Sequence, residues 1–359
     1  MKTFRYTNLD ISKVIEESIE NPSKVYNITH IADFDGIGSA SIIRHYFKIP
    51  IQNILFCDYT PEKIKEVLDI VKSDNKSKTI ILSDLGIDEK TIPLFTDLIN
   101  HLKVTDSKII WLDHHNWTDK AINDIGRRCD YIIGGDNGKY CGAELVYQNL
   151  IISYFKDTNL GEKLSNIAHK TDFNLPNKGE TINNLIEAIT YINNHHLNDL
   201  SKLVEVISEG NIDSDRIKDY ANQYIIEEKD SIITLKKNIF KKQLSNKIIV
   251  GVGFANFIES NKAASIIKDT TNCDISIFIG PKENKISIRS NDKVNSIEIA
   301  SILGGNGHER AAGASVDKKV KLNIKNPESI HSYANYILKL SEKIYKNKRV
   351  TKNEKSKSI

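Results

Sequence analysis

The sequence predicts an α/β fold: a doubly wound, mostly parallel sheet domain, then a smaller mixed α/β C-terminal domain, the two joined by a helical linker. Three observations carry this. Apolar runs of strand length alternate with helix-period segments from Val25 to about Ile133, the pattern of βαβ units with right-handed crossovers and a sheet covered on both faces. A second β-rich block follows from about residue 245. The length, 359 residues, exceeds one ordinary core and suffices for two domains.

In chain order, "VYNITHIAD" reads as a strand and Ser39 to Phe47 as an apolar helix. "NILFCD", "PEKIKEVLDIVKS", "TIILSD", "EKTIPLFTDLINHL" and "KIIWLD" then repeat the alternation. Helical segments come next: "CGAELVYQNLIISYF", "GEKLSNIAHK", "INNLIEAITYINNHH" and a long polar helix from Asp213 to about Leu244. The last has few bulky apolar residues for its length, which suits a bridge between two bodies. "NKIIVGVGF", "CDISIFIG" and "KISIRS" read as strands of the second domain, with a helix near Ala263 to Lys268. The expected boundaries are 1–190 for the first domain, 191–244 for the linker and 245–345 for the second domain. The tail 346–359 sets six basic residues against one acid, a composition that predicts a disordered segment.

Composition narrows the class. With 50 basic and 47 acidic side chains, the formal charge of +3 gives no overall electrostatic signature for nucleic acid, so any basic surface is local. Cys57, Cys129, Cys141 and Cys273 are scattered and form no CxxC pair, against a zinc ribbon or a secreted disulfide framework. The N-terminal stretch has no signal-peptide pattern, and no run approaches the ~18 apolar residues of a membrane span. A cytoplasmic protein with no membrane partner is expected.

Four strand candidates finish in aspartate, at Asp33, Asp58, Asp84 and Asp113. In a parallel sheet all carboxyl ends share one edge, where open α/β sheets build their ligand crevice. Acids converging there repel one another unless a cation neutralises them. Within "THIADFDGIGSA", His30, Asp33 and Asp35 flank the strand exit, and Gly36 and Gly38 let backbone and a helix N-terminus approach an anion. Alone, such a turn is as often a helix cap. Asp84 could equally cap a helix, Asp113-His114-His115 could be a surface turn, and Asp172 in "IAHKTDF" is ambiguous by itself. In "SIRSNDKVNSIEIASILGGNGHERAAGA", Arg289 and Ser290 end a strand, and a loop with Gly304, Gly305 and Gly307 carries His308. Amides of such a loop can approach a phosphate, and Arg289 can hold it through two parallel hydrogen bonds.

Together, and in this order, the motifs resemble those of the DHH-family phosphoesterases, named for the triplet that here is Asp113-His114-His115. "DFDGIGSA", Asp84, "LDHH" and Asp172 match the first domain, and "GGNGH" with "AAGA" resembles the DHH-associated C-terminal domain. The likeness spans about Asn27 to Val316 and implies a two-metal hydrolase of phosphoric ester or anhydride bonds. It places His30, Asp33 and Asp84 on one divalent ion and Asp35, Asp84, His114 and Asp172 on the other, with Asp84 bridging. His115 would face the phosphate or support the ligands, and Asp113 would orient a histidine; Asp113, His114 and His115 form the catalytic set. Four aspartates balance two divalent ions, and mixed oxygen and imidazole ligands suit Mn²⁺ better than Mg²⁺.

The C-terminal block is similar to the RecJ and oligoribonuclease (nanoRNase) branch, and differs from that of the pyrophosphatases. The implied activity is exonucleolytic hydrolysis of short single-stranded RNA or DNA to mononucleotides, together with phosphatase activity on 3′-phosphoadenosine 5′-phosphate. The absence of an evident oligonucleotide-binding barrel after residue 345 favours short substrates. A cyclic or linear dinucleotide phosphodiesterase and a RecJ-like single-strand exonuclease of replication or repair are the alternatives. A non-catalytic replication scaffold is disfavoured, because every expected carboxylate is present. Arg289, Ser290, Gly304, Gly305, Gly307 and His308 are expected to grip the substrate across an interdomain cleft. A homodimer is compatible with the sequence, which carries no mark of a replication-protein partner.

Overall fold

The computed structural model describes residues 3–345 except 136–138, 177, 283 and 318, with the backbone alone at 306. The expected basic tail, 346–359, lies outside the described residues. The chain forms two units, Met1–Tyr224 and Ile225–Ile359.

The first unit contains β1 (Phe4–Thr7), α1 (Ile11–Glu20), β2 (Val25–His30), α2 (Phe34–Phe47), β3 (Ile54–Cys57), α3 (Pro61–Val71), β4 (Thr79–Ser83), α4 (Ile92–Val104), β5 (Lys108–Leu112), α5 (Asp119–Asp124), β6 (Tyr131–Gly134), α6 (Gly142–Val146), α7 (Asn159–Asp172), α8 (Glu180–His195) and α9 (Leu200–Ser208). The sheet order is β1-β6-β5-β4-β2-β3. All pairs are parallel except β1 with β6. The edge strand β1 and helix α1 were not expected from the sequence; Phe4–Thr7 is too short and too polar to announce itself.

The central strands β4 and β5 are apolar almost throughout because both faces are covered, and the buried polar residues of β2, Asn27 and Thr29, hydrogen-bond to β4. On one face α2 packs with Leu145, Leu164, Leu185 and Leu203 from α6 to α9; on the other, α3, α4 and α5 cover Ile80, Leu82, Ile109 and Trp111. Helix α2 is buried nearly all round, and its run of Gly36, Gly38, Ser39, Ala40 and Ser41 keeps it thin enough to sit among its neighbours. Residues within the segment expected to link the domains, Leu200, Leu203, Val204, Ile207, Ile212 and Ile217, belong to this same core. Strand β2 leads outward to β3, whereas β4 lies on its other side and leads to β5. The carboxyl ends of β2 and β4 therefore define the point where the winding reverses, the usual position of a ligand crevice.

Helix α10 (Asp215–Lys237) carries the chain from one unit to the other. It ends at Lys237, not near Leu244. Residues Ile239–Gln243 form β7, paired antiparallel with β8 (Ile249–Phe254), and that ladder overrides the helical pattern of a lysine-rich stretch. The second unit continues with α11 (Ser260–Thr271), β9 (Ile275–Gly280), β10 (Lys285–Ser290), α12 (Ser296–Ile302), β11 (Asn306–His308), β12 (Ala311–Ser315) and α13 (Pro327–Tyr345). Its sheet, β11-β12-β10-β9-β8-β7, is antiparallel apart from β8 with β9.

Candidate active site

Three side-chain groups at the carboxyl edge of the first sheet bring ligating atoms within 4.8 Å of one another: His30, Asp33 and Asp84; Asp35, His114 and Asp172; and Asp84, His114 and His115. All six residues expected to bind metal are thus gathered, although they are scattered over more than 140 positions of the sequence. Asp84 and Asp113 directly follow β4 and β5, whereas Asp33 comes three residues beyond β2, where its carboxylate caps α2 by accepting from the Asp35 amide at 3.1 Å. Asp58 is turned to other use, accepting from the Thr60 amide at 2.8 Å.

Asp84 stands at φ 50°, a left-handed conformation that side chains rarely adopt, and is 2% exposed. Its strain fits a residue whose carboxylate must turn toward the cluster immediately after the strand. His114 Nε2 lies 3.4 Å from Asp84 and 3.8 Å from Asp35, and its Nδ1 lies 3.8 Å from Asp172. Among the described residues that buried Nδ1 has no hydrogen-bond partner, a position filled well by a cation's coordination.

Asp35 is anchored from a distant part of the chain. The Gly142 and Ala143 amides at the start of α6 donate to its two oxygens at 2.6 and 2.7 Å. A Cβ on Gly142 would lie 2.7 Å from Asp84 Cβ, so only glycine allows α6 this close. Likewise a Cβ on Gly36 would strike the His30 carbonyl, which explains the glycine of the first motif by packing.

The electrostatics follow from crowding. Burial pushes the Asp84 carboxyl well above the usual carboxylate range, and Asp35, Asp33, Asp113 and Asp172 add to it. Burial, then Asp33, pushes Asp35 up to about 6 against the pull of His114 and the Ala143 amide. Burial also raises Asp172 and lowers the His30 imidazole. Buried acids that also repel one another are acids that a divalent cation would neutralise.

Asp113 behaves differently. Burial would raise it, yet hydrogen bonds from His115 Nδ1 and Trp117 Nε1, both 2.7 Å, hold it below the usual range. Burial depresses the His115 imidazole, but its bond to Asp113 and the negative charges of Asp113, Asp35 and Asp172 together outweigh that and raise it. Asp113 therefore fixes the ring of His115 and stands outside all three groups.

Several neighbours escaped the sequence reading. Tyr59 packs against His30, tilted, at 4.7 Å between centroids, and its hydroxyl lies 3.5 Å from His115 Nε2. Glu144 accepts from the Cys141 amide and pairs with His169 Nδ1, each at 2.9 Å, beside Asp35 and Asp172. None of them is signalled by periodicity: Trp117 lies in the loop between β5 and α5, and the others are brought near by the fold.

In the second unit, Arg289 pairs with Ala311 and Ala311 with His308 across adjacent strands. Directly opposed residues share a face, so Arg289 and His308 flank the small Ala311 in one row. Arg289 donates through Nε to Asn261 at 3.0 Å and through Nη1 to Ser287 at 3.1 Å. Ser290 is engaged in donating to the Val294 and Glu309 carbonyls. The expected glycine loop is in part a strand. Gly307 lies in β11, and a Cβ on Gly305 or Gly307 would strike the backbone of β12; Gly304, at φ 75°, has open space around it. Close approach of two strands thus requires two of the three glycines.

The DHH family N-terminal domain matches residues 24–171 and the DHHA1 domain matches residues 245–335, together about two thirds of the chain. The chain belongs to the DHH family of phosphoesterases. No curated protein sequence matches it. The DHH chain is similar in fold to the exonuclease RecJ bound to manganese, at 14% identity over 90% of this chain and 93% of that one, TM-score 0.53. It is similar too to an exopolyphosphatase-related protein from Bacteroides fragilis, at 17% identity over 93% and 97%, TM-score 0.51. Among the described residues no helix is long and apolar enough to cross a membrane.

Proposed function

We propose that this DHH protein is a two-metal phosphodiesterase that trims short single-stranded oligonucleotides, RNA or DNA, to mononucleotides, with 3′-phosphoadenosine 5′-phosphate as a further substrate. The observation that carries the reading is the pair of ligand groups, His30–Asp33–Asp84 and Asp35–His114–Asp172, joined where His114 meets Asp84 at 3.4 Å. Divalent ions held there, manganese first given the mixed oxygen and imidazole donors, would neutralise charge on the phosphate and acidify an attacking water.

The chain's own residues do the rest. The α6 amides hold Asp35 in its ionised orientation. Asp113 takes the Nδ1 proton of His115 in a hydrogen bond and leaves Nε2, beside Tyr59, as the atom to meet a phosphate oxygen. In the second unit Arg289 and His308, in one row across Ala311, would grip a terminal phosphate or nucleotide, with the open turn at Gly304 beside them. Buried free cysteines suit a reducing compartment, and we place the protein in the cytoplasm.

Product analysis on end-labelled dinucleotide, pentanucleotide and twenty-nucleotide RNA and DNA, plus a cyclic dinucleotide, with Mn²⁺ and with chelator, tests this. Stepwise conversion of the pentanucleotide to mononucleotides, lost with chelator and in His114→Ala, is expected. Preference for the longest substrate overturns the short-substrate reading. Exclusive turnover of the cyclic compound moves the assignment to a cyclic dinucleotide phosphodiesterase, and equal hydrolysis by His114→Ala removes the enzyme reading altogether.

A further inference from the structure

A second cavity of the first unit lies behind Asp113. Its volume is about 480 Å³, within the ~300–1,000 Å³ of small-molecule sites. Phe4 and Tyr6 of β1, Trp117, and Arg127 after α5 line it, with the amide side chains of Asn116 and Asn123. Phe4 meets Trp117 edge-on at 5.4 Å between centroids, and the Arg127 guanidinium lies 5.9 Å from the Tyr6 ring. Gly126 and Gly134 keep room for Phe4, since a Cβ on either would press on its ring.

We infer that this cavity is a second nucleotide site, taking a nucleobase with an adjacent phosphate. Three aromatic rings offer apolar, polarisable walls for a planar heterocycle. Asn116 and Asn123 each present a donor and an acceptor, the complement of a base edge, and Asp119, also on the lining, accepts from an exocyclic amine. Arg127 supplies the cation for the phosphate. An unspecialised surface crevice gives no reason for rings, amides and a guanidinium to converge in this way. The site is separate from the metal cluster but touches its support, because the indole lining the cavity donates its N–H to Asp113 at 2.7 Å. The inference stands on this lining and does not require the oligonucleotide reading above.

Intrinsic tryptophan fluorescence and calorimetry on the full chain test it, with nucleoside monophosphates, a trinucleotide and inorganic phosphate as probes. The expected result is a mononucleotide binding event that persists in Arg289→Ala/His308→Ala and weakens about tenfold or more in Asn123→Leu and in Arg127→Ala, both exposed positions whose folding is checked by thermal melting. Tighter binding of the trinucleotide than of its monomers, with the same dependence on Asn123 and Arg127, assigns the site to an oligonucleotide's residue rather than to a free nucleotide. Binding that is unaffected by Asn123→Leu and Arg127→Ala, binding of phosphate alone, or no binding at millimolar nucleotide overturns the inference.

Discussion

Replacing Gly142 by alanine adds one methyl group where α6 meets two site carboxylates. The new Cβ would sit 2.7 Å from Asp84 Cβ, 3.0 Å from Asp84 Cα and 3.1 Å from Asp35 Oδ2. Carbon pairs settle at about 3.5–4.0 Å, so the first turn of α6 must withdraw by about 1 Å. The Gly142 and Ala143 amides, now 2.6 and 2.7 Å from Asp35, would then stand at about 3.6 Å, beyond useful hydrogen-bond range. Each hydrogen bond to a charged group contributes about 1.5–3 kcal/mol, whereas the helix propensity gained from glycine to alanine is at most about 1 kcal/mol. The loss wins. Partial relaxation leaves a net destabilisation of about 1–3 kcal/mol. Urea melts of metal-free protein read the stability, and calorimetric Mn²⁺ titration reads the ligand geometry, which should weaken by about tenfold or more. A variant of wild-type stability that binds Mn²⁺ equally well would show that α6 does not set the position of Asp35.

Four further outcomes are expected. Asp113→Asn should lower turnover by about 10–100-fold with little change in metal affinity, because His115 Nδ1 and Trp117 Nε1 donate to different carboxylate oxygens and the amide replaces one of them with a donor; kcat and metal titrations measured together check it. Asp84→Asn should raise the melting temperature of chelated protein by relieving a crowded buried acid, and should abolish any rise on adding Mn²⁺; a melting temperature that falls refutes the crowding argument. Asp274 directly precedes β9. Its carboxyl is raised by burial but held lower overall by the Ile249 amide, Asn291 and Lys293. A depressed folded pKa contributes stability above the unfolded value of about 3.9 that is lost as pH falls through the folded value. The stability gap between wild type and Asp274→Asn read from urea melts, about 1–3 kcal/mol at neutral pH, should therefore hold down to about pH 5 and close below about pH 4. Arg289→Ala should raise KM for oligonucleotides while hydrolysis of a simple aryl phosphodiester persists; equal loss on both would place Arg289 outside substrate recognition.

Much of this molecule is legible along the chain. Strands β4 and β5 announce themselves because strands buried on both faces are nearly continuously apolar, whereas β2 is legible from its β-branched and aromatic residues Val25, Tyr26, Ile28 and Thr29. The edge strand β1 and the switch from α10 to β7 did not, since half-exposed residues pair by what lies beside them in space. The glycines near residue 305 looked like a phosphate cradle, whereas two of them answer to the neighbouring strand.

Periodicity placed Asp33, Asp84 and Asp113 along one edge, since a parallel sheet sends every strand's end to one side, whereas Asp172, at the end of α7, joined the candidate set only through the family resemblance. What the sequence could not contain is how each acid is held there. Asp35 is fixed by amides more than 100 residues away, Asp113 by a tryptophan's N–H, and Asp84 by a strained backbone. Hydrogen bonds and steric limits act over a few ångströms whatever the separation along the chain, so only the packed fold decides them.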